Sequence, residues 1–329
     1  MSSTELLNWS DVTGAPNIST ISAIQRAFGY DGLGLLLVRG VPGLEAARGA
    51  CLPFARLMAL LPEDTKKKYV HAASSYSFGW SHGKENFNGV PDRSKGSFYF
   101  NPIHDIPEDD PAQYTNPALS PFLHPNIWPD SDLSGFEGAC KTLSRLMVNA
   151  GVALSRHVDA YVEEQSASWG SSTPTTSRTL HSVVTKSRTH KARLLYYFPS
   201  SSSLAESGSD ATLTPWCGAH NDHGSLTALT SAAFFKEDTG ELLQGCPDPN
   251  AGLYIRSRKG ETVRAVIPAD CLAFQIGECA QVHSGGALQV SFFWASPPLL
   301  LSFCYAIFIP MKNDQIDCGS LGEFLAPFS

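Results

Sequence analysis

The sequence lacks the cysteine spacing of a zinc ribbon or a disulfide framework. Its eight cysteines are scattered over 329 residues, and none of them forms a Cys-x-x-Cys pair. Such a distribution is typical of reduced thiols in an intracellular protein. The first residues, MSSTELLNWSDVTG, contain neither a basic nor an apolar segment. We therefore expect no secretion signal and a cytoplasmic location.

Positive charge is also scarce. The chain has 24 Lys and Arg against 31 Asp and Glu, a net charge of -7. This balance argues against a nucleic-acid groove and against a polybasic membrane patch. The hydrophobic share of 43% and the charged share of 17% indicate a globular protein with a sizeable core. We expect a monomer without a membrane span.

The first half of the chain is predicted to be mainly helical. A segment around residues 18–28 has the apolar spacing of an amphipathic helix and precedes a buried strand at 35–38. Residues 71–132 are rich in Gly, Pro, Asn and aromatics, which favours loops. Apolar residues then recur at helical spacing from 136 to about 164, which predicts one long helix.

The second half contains short apolar runs separated by turn residues. Such runs predict strands, here at residues 193–198, 226–230, 252–256, 263–267 and 271–276. Several short strands after a helical half indicate an α+β fold whose second half is a β-sandwich or barrel.

A His-x-Asp pattern precedes one of these strands, in TPWCGAHNDHGSLTALT (214–230). Non-haem Fe(II) oxygenases hold iron with two imidazoles and one carboxylate. Residues two apart on a strand point the same way, so His220 and Asp222 can supply two of these three ligands. The tripeptide alone is weak evidence, because a His-x-Asp pattern more often consists of polar surface residues than of metal ligands.

Four segments around this pattern resemble the plant-type 2-oxoglutarate/Fe(II) dioxygenases, most of all the isopenicillin-N-synthase-like or clavaminate-synthase-like branch. They follow one another in the family's order: KARLLYYFP (191–199), WCGAHNDHGSLTAL (216–229), AGLYIRSRKGETVRAVIPADCLAFQIGE (251–278) and QVHSGGALQ (281–289). The resemblance implies an α+β chain whose helical N-terminal region precedes a double-stranded β-helix, or jelly-roll, that lacks its last strands.

The resemblance also implies a division of the chain into three parts. Residues 1–165 would be the family's N-terminal domain, and residues 190–289 an incomplete jelly-roll domain. Residues 290–329 are an apolar tail outside the family pattern. The implied cofactors are Fe(II) and 2-oxoglutarate as cosubstrate, with ascorbate as a further candidate. The implied reaction is hydroxylation, desaturation or cyclisation of a small organic substrate.

Three residues match the family's site positions. His220 and Asp222 match the first two iron ligands, and Tyr197 matches a tyrosine that hydrogen-bonds 2-oxoglutarate. The alternative for Tyr197 is a core aromatic whose hydroxyl finds any partner. His223 and His283 are expected to be structural histidines rather than ligands.

The motif FQIGE (274–278) is the last part of the third family segment. Gln275 and Glu278 flank its tight turn. We expect packing or turn chemistry to explain both residues.

The family pattern stops at Gln289. A third histidine ligand should follow the Gly-Gly turn, but Phe293 occupies its place. The chain has no histidine after His283, and no arginine after Arg264 to pair with the distal carboxylate of 2-oxoglutarate. We therefore expect impaired activity, and the sequence leaves open whether this chain is itself an enzyme.

The tripeptide Gln-Val-Ser at positions 289–291 is what a common exon–intron junction encodes when it is translated in frame. This coincidence predicts that residues 290–329 are intron read-through or a gene-model error. A genomic sequence without such a junction after codon 289 would rule the prediction out.

Two other functions are alternatives. A truncated isoform could act as a non-catalytic interaction module or have no function. A hydrolase is suggested by GWSHG (79–83), which fits the Gly-x-Ser-x-Gly nucleophile elbow with Ser81 as nucleophile. The residues after it favour a loop, whereas an elbow must open a helix after a strand.

Overall fold

A computed structural model describes residues 4–87, 90–107, 121–169, 179–198, 217–236, 238–246, 248, 251–296 and 305–309. Within these residues the helices are α1 Trp9–Thr13, α2 Ile18–Phe28, α3 Leu44–Cys51, α4 Pro53–Ala59, α5 Glu63–Lys67, α6 Phe136–Ser168, α7 Leu180–Lys186 and α8 Glu278–His283. A turn of 3-10 helix spans Ala72–Ser74. No described helix is long and apolar enough to cross a membrane.

Sixteen strands are described. They are β1 Glu5–Asn8, β2 Leu35–Arg39, β3 Gly79–His82, β4 Asn86–Phe87, β5 Val90–Pro91, β6 Lys95–Phe100, β7 Lys191–Tyr197, β8 Cys217–His220, β9 Leu226–Thr230, β10 Phe234–Phe235, β11 Leu242–Leu243, β12 Gly252–Arg256, β13 Thr262–Ala265, β14 Cys271–Ile276, β15 Phe292–Ser296 and β16 Tyr305–Ile309.

Two sheets organise the fold. The large sheet has eight strands in the order β1-β2-β14-β9-β16-β7-β6-β3, and the small sheet has four in the order β13-β12-β15-β8. One face of the large sheet packs on the helices. A Cβ at Gly151 of α6 would touch Leu226 of β9 and Phe274 of β14 at 3.5 Å. The long helix therefore lies directly against the middle of the large sheet.

The other face of the large sheet, here called the inner face, packs against the small sheet. A separate core joins Leu35, Leu37, Leu229 and Ala273 of the large sheet to Ile255, Ala265 and neighbouring side chains of the small sheet. Strand residues alternate between faces. Strands β2, β9 and β14 therefore send every second side chain into the space between the sheets.

The tail contributes to both sheets. Strand β15 lies between β12 and β8, and strand β16 lies between β9 and β7. The expectation that the last strands are missing is thus wrong. The apolar residues after Gln289 form strands without clear alternation, because β15 and β16 are each paired on both edges by neighbouring strands.

Most predicted elements are confirmed. The strands at 226–230, 252–256 and 271–276 have the predicted bounds, and the long helix begins at Phe136. The prediction of loops throughout 71–132 is wrong in part, since β3 and β6 lie there. Because β1, β2, β3 and β6 share the large sheet with β7, β9 and β14, strands from both sides of residues 165–190 form one sheet.

Candidate metal centre

His220 and Asp222 lie side by side at the end of the small sheet. His220 is the last residue of β8, and its Nε2 is 3.8 Å from Oδ1 of Asp222. The His220 side chain is 40% exposed, whereas that of Asp222 is 3% exposed. The sequence pattern thus places one imidazole and one carboxylate together, with the imidazole open to solvent.

Asp222 is held by its surroundings. The Thr227 hydroxyl, at the start of β9, donates a hydrogen bond to Oδ2 of Asp222. Burial raises the pKa of Asp222 above its ordinary value, while the Thr227 hydrogen bond and electrostatic interactions with His220, His223 and Arg193 oppose that rise. A cation beside the carboxylate would favour its ionised form.

The loop that carries Asp222 is hydrogen-bonded to the segment after β14. The backbone N–H of Glu278 donates to the Asp222 carbonyl oxygen at 2.8 Å. The Glu278 carboxylate lies 2.6 Å from Nδ1 of His223 and accepts from Nδ2 of Asn221 at 3.2 Å. His223 therefore has a structural partner, as predicted, and Glu278 restrains this loop as well as beginning α8.

Phe293 faces His220 across the small sheet. The two residues are Cα partners in the antiparallel pair of β8 and β15, and their ring centroids are 4.4 Å apart. A phenyl ring has no lone pair to offer a metal. The residue opposite His220 is thus an apolar ring at the position where a third metal ligand would be needed.

These residues do not fit the three-donor set of an iron oxygenase. They supply one imidazole and one carboxylate, and the position facing them carries a phenyl ring. In the part of the chain that the structure describes, no three His, Cys, Asp or Glu side chains are grouped so that they could hold a metal ion.

Tyr197 lies on the other sheet. It is the last residue of β7, is buried, and is the Cα partner of Lys95. His220 belongs to the small sheet and Tyr197 to the large one. The role of Tyr197 toward 2-oxoglutarate stays a prediction.

A charged network on β6 and β7 was missed by sequence reasoning. Arg193 and Leu229 flank Ala306 in the large sheet, so Arg193 shares the inner face with Leu229. Its guanidinium donates to Glu85 at 2.7 Å and to Ser97 at 2.9 Å. The signal in the sequence is an arginine within strand β7, whose other charged residue is Lys191 at its start.

The network is electrostatically balanced. Burial alone would raise the pKa of Glu85, but Arg193 and Lys95 lower it to about 2. Lys95 also pairs with Asp92 at 3.0 Å. Burial raises the pKa of Tyr99, whose hydroxyl donates to Glu85 at 2.6 Å. The inner face of these strands is therefore polar but nearly neutral.

Three buried oxygens near Asp222 have no hydrogen-bond partner among the described residues. They are Oδ1 of Asn221, Oγ of Ser225 and Oε1 of Gln275. Gln275 lies within β14 rather than in a turn, and its Cα partner is Thr227. Turn chemistry therefore does not explain Gln275, and the expectation is corrected on that point.

Ser81 does not form a nucleophile elbow. It lies inside β3, is buried, and is the Cα partner of Ser97. An elbow nucleophile sits on a sharp turn between a strand and a helix. The hydrolase alternative has no geometric support.

Neither a protein-family model nor a curated protein matches this chain. Solved structures do. A full-length Neurospora crassa protein, solved in complex with alpha-KG, superposes with a TM-score of 0.66 at 15% identity, over 95% of this chain and 86% of that one. AtDAO1 of Arabidopsis thaliana, a dioxygenase for auxin oxidation solved with 2-oxoglutarate, gives 0.57 at 11% identity over 95% and 94%.

JOX2, in complex with 2OG, Fe and JA, gives a TM-score of 0.59 at 11% identity, over 94% of this chain and 75% of that one. At such identities the likeness establishes the fold. The chain has the fold of the 2-oxoglutarate/Fe(II) oxygenases, which confirms at the level of the fold the resemblance seen in its motifs. The branch within that superfamily stays a prediction.

Proposed function

We propose that the chain is a 2-oxoglutarate- and Fe(II)-dependent oxygenase scaffold of the isopenicillin-N-synthase-like or clavaminate-synthase-like branch. It would act on a small organic substrate as a cytoplasmic monomer, with an impaired iron site. The observation that carries the proposal is the facing pair His220 and Phe293, whose rings are 4.4 Å apart. His220 and Asp222 support an iron-binding ancestry, and Phe293 supports the loss.

The path of the chain supports a double-stranded β-helix for the second half. From β7 onward the chain alternates between sheets: β7 large, β8 small, β9 large, β12 and β13 small, β14 large, β15 small and β16 large. This alternation leaves one space between two four-stranded layers, the kind of enclosure in which jelly-rolls bind ligands. On this proposal the jelly-roll extends past Gln289 into the tail.

The missing imidazole has a predictable cost. Structural zinc sites bind with about 10–16 kcal/mol through four ligands, so one ligand contributes about 3 kcal/mol, or roughly a hundredfold in affinity. With two protein donors, Fe(II) would be held weakly. No arginine follows Arg264 to pair with 2-oxoglutarate. Tyr197 is the proposed remaining contact for that cosubstrate.

A metal titration of the purified full chain tests the proposal. Co(II) serves as a spectroscopic substitute for Fe(II), and Phe293→His is compared with the wild type. We expect weak binding by the wild type and about hundredfold tighter binding by Phe293→His. Phe292→His is the matched control, because Phe292 precedes Phe293 on β15 and is 53% exposed.

Two outcomes contradict the impaired-oxygenase proposal. Tight Co(II) binding by the wild type would show that the site is complete without residue 293. Equal affinities for Phe293→His, Phe292→His and the wild type would show that His220 and Asp222 do not belong to a metal site. Succinate formation from 2-oxoglutarate is the companion measurement, and it should follow metal affinity.

The alternative is a non-catalytic truncated isoform that acts as an interaction module or has no function. It is favoured by the same facing pair of His220 and Phe293. If Phe293→His binds the metal but still forms no succinate, loss of the cosubstrate site explains the result, and the non-catalytic function takes first place.

A further inference from the structure

Gln275 occupies an unusual place in the large sheet. It lies near the end of β14, is 3% exposed, and has Thr227 and Leu35 as its two Cα partners. Leu35 belongs to the core between the sheets, and side chains of directly paired residues point to the same face. The carboxamide of Gln275 therefore points to the inner face, beside Thr227.

The carboxamide is not satisfied by the protein. Its Oε1 is buried and accepts no hydrogen bond from any described residue. The nearest polar neighbour in the sheet cannot help, because the Thr227 hydroxyl donates its proton to Asp222. Buried polar groups in native proteins are nearly always paired, and an unpaired one costs stability. Such a group therefore indicates a missing partner.

The surroundings restrict what that partner can be. The inner face around Gln275 carries Leu35, Leu229 and Ala273, all apolar. Of the charged side chains on this face, the Asp222 carboxylate would repel an anion, and Arg193 is already paired with Glu85. A neutral group therefore fits better than a carboxylate. A carboxamide presents one acceptor and one donor edge, and its complement is a neutral group that carries both.

We propose that Gln275 is a recognition residue for a small molecule bound between the two sheets, and that it pairs with a cis-amide or imide of a lactam-like or cyclic imide ring. The proposal deepens the proposed function and rests on it, since both place a small molecule between the sheets. The ring's N–H donates to Oε1 of Gln275, and its carbonyl accepts from the Gln275 amide nitrogen.

The test uses the full chain and three neutral or anionic probes. They are 2-pyrrolidinone, which has a cis-amide, cyclopentanone, which has the same ring without the N–H, and 2-oxoglutarate. Binding is followed by protein NMR titration. Gln275→Met keeps the length of the side chain but removes its hydrogen-bonding groups, and Gln275→Leu is a second variant in case Met packs poorly.

Thr230→Val is the matched control. Oγ1 of Thr230 is also buried and unpartnered among the described residues, but its Cα partner Leu272 belongs to the core on the helix face. Both Gln275→Met and Thr230→Val should leave the melting temperature of the free protein unchanged or higher, because each removes an unpaired oxygen. Only Gln275→Met should affect ligand binding.

We expect the wild type and Thr230→Val to bind 2-pyrrolidinone about tenfold more tightly than cyclopentanone, and Gln275→Met to lose that preference. The proposal is overturned if Gln275→Met and Gln275→Leu keep the preference, if the wild type has none, or if both variants lower the melting temperature. The proposed function is judged separately by the Co(II) titration, because weak 2-oxoglutarate binding is expected of a site without the downstream arginine.

Discussion

Gly277 packs so closely against Gly224 that a Cβ at position 277 would lie 2.0 Å from the Gly224 carbonyl oxygen. The same Cβ would lie 2.9 Å from the carbonyl oxygen of Asp222. The backbone of Gly277 has φ -98°, which any residue adopts. Space rather than backbone conformation therefore requires glycine here, next to the candidate metal centre.

Gly277→Ala should push the loop of Asp222 away from the end of β14. We expect a loss of about 1–3 kcal/mol in the free energy of unfolding, as for other overpacked sites, measured by chemical denaturation. Gly245→Ala is the control, because a Cβ there meets nothing within 4 Å. Equal stability of the two variants would contradict the close contact.

Glu278→Ala acts on the same loop through side chains alone. The Glu278 and His223 side chains are 40% and 51% exposed, so we expect a loss of only about 0–1 kcal/mol. Hydrogen exchange at the amides of Asn221 and His223 should nevertheless become faster. Glu241→Ala, which removes a surface pair with Lys236, should leave those amides unchanged. Unchanged exchange in Glu278→Ala would show that the contacts of the Glu278 carboxylate do not restrain the loop.

Thr227→Val should raise the pKa of Asp222 further, because it removes the hydrogen bond that opposes the effect of burial. A folded-state pKa above the ordinary value means that the folded protein holds its proton more tightly. The free energy of unfolding therefore falls as the pH rises from the ordinary pKa of an aspartate to the higher pKa of Asp222 in the folded protein. In Thr227→Val this fall should extend to higher pH. Carbon-13 NMR of the Asp222 carboxyl measures the shift, and Thr230→Val should cause none.

Glu85→Gln should flatten the acid dependence of stability. The pKa of Glu85 is about 2 in the folded protein against an ordinary 4.5. Its contribution is therefore complete above pH 4.5 and is lost as the pH falls toward 2. At neutral pH the variant should lose about 2 kcal/mol, less than a fully buried pair, since Glu85 is partly exposed. Denaturation curves from pH 7 to acid are the measurement, and parallel wild-type and variant profiles would contradict it.

Local sequence patterns predict the helices and strands whose apolar spacing is clear within the segment itself. Strand β9 and the helix beginning at Phe136 have clear apolar spacing and are found where expected. The two-residue spacing predicts that His220 and Asp222 are neighbours, although Asp222 lies in the loop after β8 rather than on the strand. Strand β6 was missed because KGSFYF is surrounded by Gly, Pro and Asn, and its pairing with β7 stabilises it.

Other features depend on register between distant segments. Phe293 faces His220 only because β15 pairs with β8. The orientation of Gln275 toward the inner face similarly depends on its pairing with Thr227. A one-residue change of register would turn either side chain to the opposite face. No pattern within a single segment contains this information, which is why the role of Gln275 could not be predicted from the sequence.

The position of β16 has a consequence for how the protein folds. This strand, residues 305–309, lies between β9 and β7 and joins the group β1-β2-β14-β9 to the group β7-β6-β3 in the large sheet. During synthesis, the strand edges of β9 and β7 that pair with β16 stay unpaired until the segment 305–309 has been made. Pairing of distant segments is slow, and until β16 arrives the open strand edges are available to other chains. We therefore expect the nascent chain to be most prone to aggregation before residues 305–309 have been made.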